Sequence, residues 1–286
     1  MRSGFVALAG RPNVGKSTLV NALCGGKVAI VSDKPQTTRR RIFGIANAPD
    51  HQLVLADLPG FQRPRDLLTE HLQRTVDQAF EEIEGVLFVL DCRERIGGGD
   101  RFIAQRVFGL GVPVVIALNK VDQMAPGRIA EQIQVAAQLG EFHALHPVSA
   151  KTGDGVPDLR QELVDLLPEG PLYFPPEQRS DLPVEAQIAE LVREKALAAT
   201  REELPHAISV EVEELEEKVV RAVLYVETES QKQIVVGKKG ALVRKIGTEA
   251  RPEIEHLLGR RVFLELQVKA RPRWRRDETM LERLGL

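Results

Sequence analysis

Cysteine is scarce in this chain: 286 residues contain two, Cys24 and Cys92. Two cysteines cannot supply a disulfide framework, and both fall in stretches with secondary-structure character. They read as reduced core thiols of an intracellular chain. Long apolar runs are missing too. None approaches the roughly 18–20 residues that a bilayer-crossing helix requires, which excludes a spanning protein of that kind. Internal repeats and low-complexity tracts are absent. A composition of 43% hydrophobic and 28% charged residues excludes a collagen-like, mucin-like or wholly disordered chain. The opening residues 1–9 superficially resemble a short signal peptide. Their apolar stretch is too brief and runs straight into a glycine-rich loop, so it reads as a buried first strand. The six histidines, 51, 71, 143, 146, 206 and 256, show no metal-ligand spacing.

Net charge is nearly absent at −2, but it is unevenly distributed. Residues 231–276 carry thirteen Lys and Arg against four Glu, a local charge of +9, directly after the acidic stretch 211–217. That asymmetry points to a localised anion-binding surface. A length of 286 suggests two domains at about 100–200 residues each. Residues 1–167 alternate β-rich apolar runs (5–9, 53–56, 86–90, 112–118) with amphipathic segments such as 67–83 and 129–139. This predicts an α/β fold with a mainly parallel sheet covered on both faces. Five of the seventeen prolines fall within 168–183, which predicts an interdomain linker with almost no helix. Residues 184–286 then read as an α+β domain. A helix begins near Pro183, two strands cover 207–212 and 219–227, a basic helical region follows, and a last strand lies near 262–268. Trp274, among four arginines, could stack on a base, but packing of a C-terminal helix is the preferred reading.

Gly10-Arg11-Pro12-Asn13-Val14-Gly15-Lys16-Ser17, followed by Thr18, fits a phosphate loop between a strand and a helix. Glycines permit the tight turn, backbone N–H groups converge on phosphate, and the helix N-terminus adds favourable potential. Lys16 is the candidate for the outer phosphates and Ser17 for Mg²⁺. This motif alone leaves an ATP-dependent kinase open. Asp57-Leu58-Pro59-Gly60 follows a strand, as expected for an acid that holds Mg²⁺ through water and a glycine N–H aimed at the γ-phosphate. Asn119-Lys120-Val121-Asp122 ends another strand. The Asp122 carboxylate can accept hydrogen bonds from guanine N1–H and its amino group, a donor pair that adenine lacks, so GTP is selected. Ser149-Ala150-Lys151 would pack against the base.

These motifs resemble the translation-factor-related GTPases, in the branch of ribosome-assembly and tRNA-modification enzymes. Asn13 resembles the asparagine that this branch uses to hold K⁺ beside the phosphates. Pro35-Gln36-Thr37-Thr38-Arg39 resembles its first switch, with Thr38 as the better-matched Mg²⁺ and γ-phosphate ligand and Thr37 the alternative. Leu58 departs from the threonine frequent in this branch. Phe61 occupies the place where related enzymes orient water with glutamine, so slow intrinsic hydrolysis by in-line water attack is expected. Lys16, Thr38 and Gly60 are the candidates at the reacting phosphate, with no general base to name.

In the second half, Gly237-Lys238-Lys239-Gly240 sits between two apolar helical stretches. Such a turn brings backbone amides close to a sugar–phosphate chain, while Lys238, Lys239, Arg244 and Lys245 neutralise charge. The element order around it fits a type-II KH domain. A GTPase of this branch joined to that module resembles the Era family of bacterial ribosome-assembly proteins over nearly the whole chain. Gln267 departs from the tryptophan common there, so no stacking role is assigned to it. The resemblance implies a monomer that binds the 3′ end region of 16S rRNA and assists assembly of the 30S subunit, with GTP and GDP states controlling RNA binding and release. It implies Mg²⁺ and K⁺ as cofactors. It also implies a cytoplasmic location with peripheral association at the inner face of the cell membrane.

Overall fold

The computed structural model describes residues 1–34, 36–60, 66–80 and 83–286, so the expectations placed on Pro35 and Phe61 lie outside the described residues. They form two compact units. The first contains 1–29, most of 38–63 and most of 72–181; the second contains 182–286 and the described parts of 30–37 and 64–71.

The first unit runs β1 (Arg2–Ala9), α1 (Lys16–Cys24), β2 (Ile42–Asn47), β3 (His51–Asp57), α2 (Leu67–Gln78), β4 (Gly85–Asp91), α3 (Gly98–Phe108), β5 (Val114–Asn119), α4 (Pro126–Ala136), β6 (Ala144–Val148) and α5 (Val156–Asp165); only the C-terminal part of α2 belongs to it. The sheet order is β2-β3-β1-β4-β5-β6, parallel except for β2 against β3. Strand alternation explains the two cores. Leu87 and Val89 of β4 pack among side chains of α1 and α5, whereas Val86, Phe88 and Leu90 pack with residues of α2 and α3. Every residue of β4 is buried, so its sequence shows no polar face. Strand β2 carries no clear signal because it is a short antiparallel edge. Its Gly44 admits the helix below: a Cβ there would lie 2.7 Å from Val20 Cγ1.

Residues 168–181 contain no helix and run along this unit. Ile45 N–H donates to Arg179 O at 2.9 Å and Phe43 N–H to Asp181 Oδ1 at 2.8 Å. The Gln52 amide oxygen accepts from Tyr173 and Phe174 N–H at 2.8 and 3.0 Å.

The second unit comprises α6 (Val184–Ala199), α7 (Leu204–Ala207), β7 (Ser209–Leu215), β8 (Val219–Val226), α8 (Glu229–Val236), α9 (Ala241–Leu258), β9 (Phe263–Ala270) and α10 (Glu278–Arg283). Strand β8 is central, antiparallel to β7 and parallel to β9. Ile188 and Val192 of α6 and Ile246, Ala250 and Ile254 of α9 share the core with Val220, Ala222 and Leu224 of β8. Trp274 is fully buried and its indole N–H donates to Ala207 O at 2.9 Å, so it packs rather than stacks.

Candidate nucleotide and RNA sites

In the first unit, β1, β3, β4 and β5 run parallel and present their carboxyl ends together, the end at which open α/β sheets bind ligands. The loop after β1 turns sharply: Gly10 has φ +153° and Gly15 φ +100°. A Cβ on Gly10 would lie 2.6 Å from Val89 O, and one on Gly15 would lie 2.3 Å from Asn119 Nδ2. Both positions therefore require glycine. No side chain caps the start of α1.

Lys16 is buried and its Nζ donates to Gly10 O at 3.0 Å and Arg11 O at 3.1 Å. Burial pulls its ammonium down to about 8, against the opposing charge of Asp57. Ser17 Oγ donates to Asp57 Oδ2 at 2.7 Å, Thr38 Oγ1 donates to the same oxygen at 3.2 Å, and the two hydroxyls are 3.0 Å apart. The other oxygen, Asp57 Oδ1, is buried without a hydrogen-bond partner. Burial pushes this carboxyl up, opposed by Ser17, Lys16 and Thr38. Two hydroxyls and a half-satisfied buried carboxylate form a hard-oxygen set that fits Mg²⁺.

Asn119 fastens three loops. Its Nδ2–H donates to Val14 O at 2.9 Å and its Oδ1 accepts from Ala150 N–H at 3.0 Å. Ser149 Oγ donates to Asp122 Oδ1 at 2.7 Å, leaving the rest of the exposed carboxylate facing outward. Lys120 takes a left-handed φ of 70° and donates to Asn13 O at 2.5 Å and Asp91 Oδ2 at 2.7 Å. Lys151 is exposed, Thr18 is half-buried in α1, and Gly60 lies against Pro12.

Asp91 belongs to none of the motifs read from the sequence. It ends β4 with its side chain 1% exposed and also accepts from Arg93 at 2.8 and 3.0 Å. Burial works against its charge, but the hydrogen bonds from Arg93 and Lys120 outweigh it and hold the carboxyl below the usual range. An acid closing an otherwise apolar strand is the one sequence signal that marks it.

In the second unit a Thr228–Gln231 capping box starts α8, and Gly237 ends it with φ +71°. A Cβ on Gly237 would lie 2.9 Å from Leu242 Cβ. Lys239 and Gly240 follow at φ 53° and 77°, and nothing lies within 4 Å of a Cβ built on Gly240. The turn thus combines a sterically demanded glycine with an open one that another backbone can approach. Beyond it, a groove of about 480 Å³ lies between α9 and β9, lined by Gly240, Val243, Arg244 and Gly247 on one side and Leu264 and Leu266 on the other. Lys238 and Lys239 are on the turn, while Lys245 is drawn towards Glu249 at 3.7 Å.

Comparison with known proteins agrees with these two constructions. Residues 5–120 match the family of 50S ribosome-binding GTPases, and residues 203–275 match the KH domain. GTPase Era of Heliobacterium modesticaldum is 43% identical over 290 residues, covering 100% of this chain and 97% of that protein. GTPase Era of Nocardioides sp. is 47% identical over 300 residues, covering 99% and 96%. Among solved structures, a single-residue variant of Aquifex aeolicus Era bound to GDP and AlF4⁻ superposes with a TM-score of 0.96 at 37% identity, covering 100% of this chain and 99% of the other. A structure of Era in complex with MgGDPNP and nucleotides 1506–1542 of 16S ribosomal RNA gives a TM-score of 0.94, with the same identity and coverage.

Proposed function

This chain belongs to the Era family of GTPases, and from that premise we propose that its GTP cycle governs binding to the 3′ end region of 16S rRNA during small-subunit assembly. The observation that carries the reading is the end-to-end likeness to a protein that holds both a magnesium nucleotide and that RNA. The GTPase family matched by residues 5–120 is described by binding to the 50S subunit. The RNA held by the full-length relative belongs to the small subunit, which is the better guide because the likeness involves both halves of the chain.

The same proposal gives these residues their roles, supported by their position at the carboxyl ends of the strands. Lys16 exchanges two loop carbonyls for phosphate oxygens as GTP enters. Ser17, Thr38 and Asp57 would hold Mg²⁺, which would neutralise charge developing on the phosphates. The Gly60 N–H serves the γ-phosphate, Asn13 takes K⁺, and Asp122 reads guanine while Ala150 and Lys151 flank the base. Gly237–Gly240, Arg244 and the α9–β9 groove take single-stranded RNA.

Coupling between nucleotide and RNA has a covalent route. Residues 30–37, as far as described, belong to the second unit, and Thr38 to the first. Within the second unit, Arg193 of α6 donates to Thr37 O and Val31 N–H donates to Glu194 Oε1 at 2.9 Å. A γ-phosphate that draws in Thr38 therefore pulls on a segment anchored to α6. We assign 1–167 to the nucleotide domain, 168–183 to the connection and 184–286 to the RNA domain. The family reading also carries a cytoplasmic monomer with peripheral membrane contact; no helix among the described residues is long and apolar enough to cross a membrane.

Cross-linking the full chain to isolated 30S and 50S subunits, with GDP or a non-hydrolysable GTP analogue, tests the reading. Cross-links to the 16S 3′ end that differ between nucleotides are expected. Equal cross-linking in both states would remove the coupling, and capture by the large subunit would redirect the target.

A further inference from the structure

The loop after β1 is fastened on both sides of one unusual residue. Asn13 is not a glycine, yet its backbone is left-handed with φ 65°. That conformation is costly for a residue with a Cβ and persists where its surroundings over-determine it. On the downstream side the fastening is the one already described, Lys120 to Asn13 O and Asn119 to Val14 O. On the upstream side it is Arg11. Its Nε–H donates to Asp100 Oδ1 at 2.8 Å and its Nη2–H to Glu94 Oε2 at 2.6 Å. Asp100 lies in the first turn of α3 with its side chain 1% exposed, and its second oxygen accepts from Gly97 N–H at 2.9 Å. The carboxylate is therefore fixed from two directions. Gly99 clears the way for the arginine stem: a Cβ there would lie 3.0 Å from Arg11 Cδ. Arg11 O in turn accepts from Lys16 Nζ at 3.1 Å, so the clamp and the buried lysine meet on one residue.

A guanidinium in a phosphate loop could meet the anion directly; this one is committed to two acids that follow β4. We infer that Arg11 is a positioning residue for GTP binding, held by Asp100, which keeps residues 11–13 in the binding conformation before any nucleotide arrives. A loop in which Asn13 is already left-handed presents its N–H groups without reordering, and affinity gains by the ordering cost that is avoided. Glu94 is 54% exposed, so its share is small beside that of the buried Asp100. This rests on the reading of residues 10–17 as the phosphate loop. It adds a residue that acts through the backbone rather than through its own charge.

The test is steady-state GTP hydrolysis, with binding of GTP and GDP measured by fluorescence, using the full chain. Arg11→Met, which keeps the apolar stem, should raise KM for GTP about tenfold with kcat within about twofold of the unmodified protein. GTP and GDP affinities should fall by the same factor. The preference for GTP over inosine triphosphate, which lacks the 2-amino group, should stay unchanged because the base-reading tetrapeptide is untouched. Arg11→Met leaves a buried carboxylate without its cation. The double variant Arg11→Met, Asp100→Asn removes that charge while the asparagine still accepts from Gly97 N–H. It should keep the native circular dichroism and show the same loss as Arg11→Met, since the two residues act as one unit. Arg11→Lys should recover most of the affinity, to within about threefold. Lys16→Ala is the control for the phosphate loop and should abolish GTP binding. A normal KM in the folded double variant, a fall in kcat alone, or a changed base preference would overturn the positioning role and leave the phosphate-loop reading standing. GTP binding that survives Lys16→Ala would overturn both.

Discussion

Asp122 and Asp91 are both acids at the carboxyl end of the first unit's sheet, with different tasks under the proposed function. Asp122 keeps most of its carboxylate for a ligand; Asp91 commits its own to Lys120 and Arg93. Asp122→Asn should cost about 2–4 kcal/mol of GTP affinity, because charge-assisted hydrogen bonds are lost and a mismatched donor faces guanine. Competition between GTP and xanthosine triphosphate checks this, and the variant should now prefer the latter. Asp91→Asn acts indirectly. It should raise KM for GTP roughly tenfold, about 1.4 kcal/mol, with kcat nearly unchanged, since Lys120 loses the partner that holds its left-handed backbone in place. A fall in kcat alone would contradict a positioning role. Lys16 supplies the pH prediction. Its ammonium, held at about 8 in the free protein, is raised when phosphate oxygens surround it. GTP binding should therefore take up almost no proton near pH 7 and close to one proton per site near pH 9. Calorimetry in buffers of different ionisation enthalpy reads that uptake; a pH-independent value would place the lysine's titration elsewhere.

At the scale of elements, the glycine turn between α8 and α9 separates folding from binding. Gly237 combines φ +71° with a clash against Leu242, so Gly237→Ala should destabilise the second unit by about 1–3 kcal/mol in thermal unfolding. Gly240 has a positive φ but open space in front. Gly240→Asp should cost only about 1 kcal/mol of stability, yet weaken RNA binding at least about tenfold by placing a carboxylate where a phosphate approaches. Both glycines are legible in the sequence as a Gly-x-x-Gly pattern. Which of them is structural and which is functional is not, because the difference lies in Leu242 on the following helix.

Across the whole molecule, the two proposed anion sites differ in their physics. The loop proposed for nucleotide offers buried, directional groups; the face proposed for RNA offers exposed cations. Affinity for a short 16S oligomer should therefore fall with salt at a slope of about −3 in log–log form if Lys238, Lys239, Arg244 and Arg251 each meet a phosphate, at about −0.7 apiece. GTP affinity should change far less over the same range. The defects should also separate: Asp122→Asn retains RNA binding in the nucleotide-free protein, and Gly240→Asp retains GTP binding.

The motifs proposed for both sites could be read along the chain because their groups are contiguous. A phosphate loop, a base-reading tetrapeptide and a glycine turn each work through backbone conformations that neighbouring residues impose. The alternation of apolar runs likewise announced the parallel sheet. What folding alone settled are the partnerships between distant residues. Lys120 with Asp91, Ser17 and Thr38 on one Asp57 oxygen, Arg11 with Asp100, and the proline-rich 168–181 laid along β2 all depend on strand register and on how helices close over a sheet. Those are non-local packing outcomes, and no local pattern of residue types encodes them.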